Sequence, residues 1–156
     1  MRSLKVADIM TRNVLTLEMD HSINLAGAVM QWRHIRHLPV VDQGRLVGLV
    51  TARDVARAQA QLLAQPARQA LDDDGRGLTV PVLDIMQRNV WSVTSDAPVS
   101  EAARIMLDHR FGCLPVVDER ERLVGIVTEI DLLRLLIEQL SARREVEDTD
   151  PSIRLA

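Results

Sequence analysis

The spacing of apolar positions changes several times along the chain, and each change marks an element. Val14 to Leu17 is a short apolar run that predicts a strand. Ile23, Ala26, Val29 and Met30 then recur at helical spacing and predict an amphipathic helix ending near His34, with Asp20 and Ser22 as candidate caps. "LPVVD" and "RLVGLV" follow as two short β-branched runs separated by "DQG", which predicts a tight hairpin. From Thr51, "TARDVARAQAQLLAQ" is rich in Ala, Leu, Gln and Arg with no proline before Pro66, so a helix is expected.

The same order is written twice. "DIMTRNVLTLEMD" (Asp8 to Asp20) corresponds to "DIMQRNVWSVTSD" (Asp84 to Asp96), and "HLPVVD" (His37 to Asp42) to "CLPVVD" (Cys113 to Asp118). "RLVGLVTARD" (Arg45 to Asp54) returns as "RLVGIVTEID" (Arg122 to Asp131) after one extra residue near Glu121, in a turn where insertions are tolerated. Two copies of this length are too few for a solenoid and predict two similar lobes packed face to face. The fold class is α/β (α+β), with strand, helix, strand, strand, helix in each copy. Residues 1–65 form the first repeat and 82–140 the second; 66–81 is a connector with a mobile loop expected near Asp72 to Gly77, and 141–156 is a polar tail, frayed or extended along a partner.

Composition narrows the function. A net charge of -3 and an aromatic content of 2% argue against a nucleic-acid partner, which needs a basic surface and, for single strands, stacking platforms. No apolar stretch approaches the roughly 20 residues that cross a bilayer, and no signal peptide opens the chain, so no membrane role and a cytoplasmic location are expected. The single cysteine, Cys113, has no internal partner for a disulfide.

The candidate chemistry lies at the strand-to-helix junction. Thr51 with Asp54, and Thr128 with Asp131, have the spacing of a capping box, although Glu is the usual acid and Asp is expected to reach back poorly. A helix N-terminus also attracts phosphate, and a fixed carboxylate can accept from two neighbouring hydroxyls. Together those features describe a nucleotide. Spacing alone supports both readings.

The three signatures "DIM", "LPVVD" and the ending glycine-strand-Thr-x-x-Asp, in order and twice, resemble a tandem pair of cystathionine-β-synthase (CBS) domains over Val6 to Gln139. The resemblance implies two βαββα repeats joined by pseudo-two-fold symmetry through their sheets. It also implies two clefts for adenosine compounds such as AMP, ADP, ATP or S-adenosylmethionine, and a regulatory role as a sensor. Matched residue by residue, Asp54 and Asp131 would hold ribose hydroxyls, with Thr51 and Thr128 beside the ribose and phosphates. Val14 to Thr16 and Val90 to Ser92 would meet the adenine. Ile35, Leu38 and Pro39, with Phe111, Leu114 and Pro115 opposite, would form the other wall.

The copies diverge where phosphate would sit. Arg36 and His37 precede the first "LPVVD", whereas Gly112 and Cys113 stand at the equivalent positions; Ala52 and Arg53 separate Thr from Asp in the first copy, Glu129 and Ile130 in the second. The Asp54 cleft is therefore expected to be the better nucleotide site, with Glu129 opposing phosphate in the Asp131 cleft. Trp91 is placed to stack on a base or to pack between lobes. His34, His37 and His109 present no three-ligand spacing for zinc. No nucleophile and base pair or Walker-type loop points to an enzyme, and no cofactor is required. No effector domain is attached, so any signal is expected to pass to a separate client protein. The rival reading is a ligand-independent interaction module, because "EAARIMLDHRF" and "DLLRLLIEQL" carry surplus apolar surface, which the resemblance implies is buried in a homodimer.

Overall fold

The computed structural model describes residues 4–65 and 79–144. The expected loop at Asp72 to Gly77 and the tail beyond 144 lie outside the described residues. Each half forms a three-stranded mixed sheet covered by helices, and the two sheets pack together.

In the first half, β1 (Leu17–Glu18) lies parallel to β2 (His37–Asp42), which pairs antiparallel with β3 (Arg45–Thr51). The helices are α1 (Val6–Ile9), α2 (Ile23–Arg33) and α3 (Ala52–Leu63). The second half repeats this with β4 (Val93–Thr94), α4 (Val99–His109), β5 (Cys113–Val117), β6 (Leu123–Thr128) and α5 (Glu129–Arg144). A 3-10 turn at Val82–Asp84 takes the place of α1. Ser22, rather than Asp20, caps α2 by accepting from the Leu25 N–H at 3.1 Å. The helix α5 runs to Arg144, past the expected start of the polar tail.

The expected strand over Val14–Leu17 is shorter and lies further along, at Leu17–Glu18. The reason is that the preceding backbone belongs to the other sheet. Thr11 and Ile126 exchange both backbone hydrogen bonds at 2.9 Å, so residues 12–16 span the gap between the two lobes. Gln87 and Leu49 make the equivalent exchange at 2.9 and 3.0 Å.

This crossing organises the whole molecule. Val6 and Met10 pack into the core built on Val93, Leu114, Val116 and Val127, while Val82 and Met86 pack into the core built on Leu17, Leu38, Val40 and Val50. The opening segment of each repeat therefore docks on the lobe made by the other. Met86 lies over Gly48 and Met10 over Gly125, so closely that an added Cβ would stand 2.5 Å and 2.7 Å from the two sulfur atoms. These contacts give "DIM" and the glycine strand a joint packing role. A third cluster, Leu49, Cys113 and Ile126 flanked by Val14 and Val90, seals the lobe interface. Burial pushes the Cys113 thiol up to about 12, with Glu129 adding to the effect, so it stays protonated and serves as a small apolar side chain.

The hairpins differ by the inserted residue. Gln43 (φ 49°) and Gly44 (φ 81°) make a two-residue turn whose left-handed pair matches strand twist. In the second hairpin, Glu121 takes φ 59° and the Asp118 carboxylate accepts from the N–H groups of Arg122 and Arg120, each at 2.9 Å. The backbone bond from Arg122 is the largest cause holding the Asp118 carboxyl below its usual range.

Candidate functional site

Two open clefts lie between the lobes, with volumes of about 550 Å³ beside Asp54 and about 720 Å³ beside Asp131. Both volumes suit a ligand of nucleotide size. Each cleft takes its Thr/Asp pair from one repeat and the facing loop from the other. The Asp54 cleft is faced by Asn89, Val90 and Trp91 and by His109 to Gly112; the Asp131 cleft is faced by Asn13, Val14 and Leu15 and by Arg33 to Ile35.

The pairs at the cleft floors are capping boxes as well. Thr51 donates its backbone N–H (2.9 Å) and its hydroxyl (2.7 Å) to Oδ2 of Asp54, and the Asp54 N–H donates back to the Thr51 hydroxyl at 3.3 Å. Thr128 and Asp131 repeat this at 2.8, 2.7 and 3.4 Å. The expectation that Asp reaches back poorly is thus corrected: with the Thr backbone extended at ψ 159° ahead of α3, the N–H turns toward the carboxylate. Only Oδ2 is engaged in this way. Oδ1 of Asp54 accepts no hydrogen bond from a described side chain or backbone group, and Oδ1 of Asp131 has Arg134 at 3.9 Å. A carboxylate so fixed retains capacity for further donors.

Several expected residues fall elsewhere. Leu38, Pro39, Leu114 and Pro115 are less than 2% exposed; Leu38 and Leu114 belong to the two cores, and none of the four lines a cleft. Both "LPVVD" strands are buried at consecutive positions and hence on both faces. Thr16 is exposed and outside both cleft linings, and Ser92 lines an adjoining surface groove that shares Asn89, Val90 and Trp91 with the Asp54 cleft. Val14 and Ile35 line the Asp131 cleft, and Val90 and Phe111 the Asp54 cleft, each with the Asp of the opposite repeat.

The charge division also differs from expectation. Arg36, His37 and Glu129 line both clefts rather than one each. Arg53, Arg57 and Arg110 belong to the Asp54 cleft alone. Among the described residues, none of these four arginines forms an ion pair. Arg57 and Arg110 were not anticipated. Arg57 stands one turn beyond Arg53 on α3, a helical spacing legible in the sequence. Arg110 is aimed by its left-handed C-cap backbone at the end of α4 (φ 57°), and His34, with φ 53°, is its counterpart in the Asp131 cleft.

The walls differ as well. Trp91, His109 and Phe111 make a run of neighbouring rings, with centroids 4.6 and 5.4 Å apart, beside Asp54. Trp91 is 50% exposed, so part of its ring remains accessible. Leu15, Arg33 and Ile35 occupy the equivalent positions beside Asp131.

His37 is held below its ordinary value of 6.5, first by burial; Glu129 and Asp54 oppose the shift and Arg36 reinforces it. A depressed histidine means that the unfolded chain takes up this proton first, so the contribution of His37 to stability is intact above about pH 6.5 and is lost as pH falls through the folded value. Chemical denaturation of the ligand-free protein across about pH 7.5 to 5 should show that decline, and His37→Gln should flatten it. An unchanged slope in the variant would assign the decline to other groups.

Among the described residues, no group of three or more His, Cys, Asp and Glu side chains has the arrangement of a metal site, and no helix is long and apolar enough to cross a membrane. In comparison with known proteins, the CBS domain family matches residues 6–61 and 82–138. A CBS domain-containing protein of Dictyostelium discoideum is 34% identical over 137 residues, covering 86% of this chain and 92% of that one. A homoserine O-acetyltransferase of Methanococcoides burtonii is 37% identical over 132 residues; the match covers 84% of this chain but only 24% of the enzyme's length. Among solved structures, an acetoin utilization protein (AcuB) from Vibrio cholerae, so named provisionally, superposes with a TM-score of 0.78 at 34% identity, covering 92% of this chain and 99% of that one. The CBS domain pair of protein MJ0100, in complex with 5′-methylthioadenosine and S-adenosyl-L-methionine, superposes at 0.73 with 32% identity over 88% and 99% of the two chains. The protein CBSX2 of Arabidopsis thaliana, in complex with AMP, superposes at 0.72 with 27% identity over 87% and 98%.

Proposed function

Because this chain belongs to the CBS domain family, we propose that it is a regulatory module that takes an adenosine ligand in its inter-lobe clefts and passes the occupancy to a separate client protein. The observation that carries this reading is the arrangement at Asp54: a carboxylate held by one oxygen in a cleft lined by arginines that form no ion pair among the described residues and by the half-exposed ring of Trp91. Asp54 then takes the ribose hydroxyls, Arg36, Arg53 and Arg57 the phosphates, and Val90 with Trp91 the base. The ligands named for the MJ0100 and CBSX2 structures share an adenosine core, which supports this class. The catalytic activities of the matched enzymes are not carried over, since the chain spans about a quarter of their length. The reading assigns the chain no chemistry, and a cytoplasmic supply of nucleotide suits it.

A thermal-shift series with AMP, ADP, ATP and S-adenosylmethionine tests the proposal. A ligand at about 100 times its Kd adds roughly 2.7 kcal/mol to stability, which for a chain of this length raises Tm by about 5–10 °C. The absence of any shift would leave the second reading, an interaction module independent of ligand. That reading has its own support in the apolar face of α5, where Ile130, Leu133, Leu136, Ile137 and Leu140 are each half-exposed or more. We place a second copy of the chain on this face, and light scattering on the same samples should report a dimer with and without ligand.

A further inference from the structure

Building on the nucleotide reading, we infer that the two clefts share one anion subsite at Arg36 and His37, so that a phosphorylated ligand in either cleft opposes a second phosphorylated ligand while leaving room for an uncharged nucleoside. The two linings overlap at four residues: Arg36, His37, Gly112 and Glu129. All of the positive charge in that overlap comes from the first repeat. The second repeat offers Gly112, without a side chain, and Cys113, which is buried in the lobe interface. A Cβ placed on Gly112 would lie 3.0 Å from Cε1 and Nε2 of His37, so the imidazole of one repeat occupies the space where the other repeat would present its own side chain. Within the overlap the standing cation, Arg36, therefore exists once for two clefts, while Arg53, Arg57 and Arg110 border only the Asp54 cleft and Arg33 and Arg134 only the Asp131 cleft. Arg36 is exposed and unpaired among the described residues, so it can turn to either side. Glu129 borders both clefts too, and its negative charge opposes a second phosphate once the first has taken the arginine.

The inference separates ligands by charge rather than by base. Calorimetry on the whole chain with AMP and with 5′-methylthioadenosine, which carries no phosphate, tests it. AMP should bind at one tight site per chain, with any second site at least tenfold weaker, whereas 5′-methylthioadenosine should still bind one equivalent when AMP is saturating. Arg36→Ala should weaken AMP at least tenfold and 5′-methylthioadenosine by less than twofold, with Arg36→Lys restoring most of the AMP affinity. Two equal and independent AMP sites, or equal losses for both ligands in Arg36→Ala, would overturn the shared subsite while leaving the nucleotide reading in place. Absence of binding by every adenosine compound would overturn the nucleotide reading and this inference together.

Discussion

Replacing Asp54 with alanine weakens binding of AMP about 100-fold, and replacing Asp131 with alanine weakens it no more than about threefold; this contrast is the largest functional effect expected. Two hydrogen bonds from sugar hydroxyls to a carboxylate contribute about 1.5 kcal/mol each at the lower end of their range, so loss of the pair accounts for the first value. The small value follows from the surroundings of Asp131. There, Arg134 leans toward the carboxylate at 3.9 Å, and the aromatic wall is replaced by Leu15, Arg33 and Ile35. Without ligand the two variants should behave alike. Each leaves a Thr backbone N–H without its 2.8–2.9 Å acceptor and dismantles a capping box, at a cost of about 1–2 kcal/mol. Asp131 is 9% exposed, which puts its cost toward the upper end. Calorimetry for affinity and urea denaturation for stability separate the two roles. Equal losses of AMP affinity in both variants would contradict the assignment to the Asp54 cleft.

The largest effect on stability is expected at the glycines beneath the crossing segments. Gly48→Ala places a Cβ 2.5 Å from the Met86 sulfur and 3.1 Å from the Gln87 carbonyl oxygen, and Gly125→Ala meets the Met10 sulfur at 2.7 Å and the Thr11 carbonyl at 3.1 Å. The methionine can turn aside only within a packed core, and the carbonyls belong to the paired backbone joining the lobes. Each alanine should cost about 1–3 kcal/mol, and valine at either site more. The loss should read out as a fall of a few degrees or more in Tm for each alanine. Shortening the methionine should return part of it: Gly48→Ala combined with Met86→Ala should cost less than the two changes summed. Simple additivity would place the strain at the carbonyl instead. Because Gln87 leads directly to Asn89, Val90 and Trp91, Gly48→Ala should also disturb the Asp54 cleft, while Gly125→Ala acts on the wall at Asn13 to Leu15.

Much of this architecture could be read before any coordinates. The longer helices, both hairpins and the two Thr/Asp junctions depend on spacings of two to four residues, and the repeat shows because the same local patterns recur in order. The misreadings have equally local causes. Leu38, Pro39, Leu114 and Pro115 sit in continuous apolar runs, and a strand buried on both faces lacks the alternation that would show which side chains face a cleft. Residue type alone makes Asp a poorly reaching acid for the box, whereas its actual reach depends on the turn of the preceding backbone.

By itself, the sequence determined that there are two alike lobes, where the two longer helices of each repeat lie, and which acid stands at each strand-to-helix junction, but not the short helix α1. Only the tertiary structure decided that the opening segment of each repeat docks on the opposite lobe, that each cleft joins the Asp of one repeat to the wall of the other, and that Arg36 and His37 stand between both. The physical reason is range: caps and turns are set by neighbours a few residues apart, whereas a cleft between lobes is set by the packing of Met10 on Gly125 and Met86 on Gly48, whose pairing leaves no periodic trace in the chain.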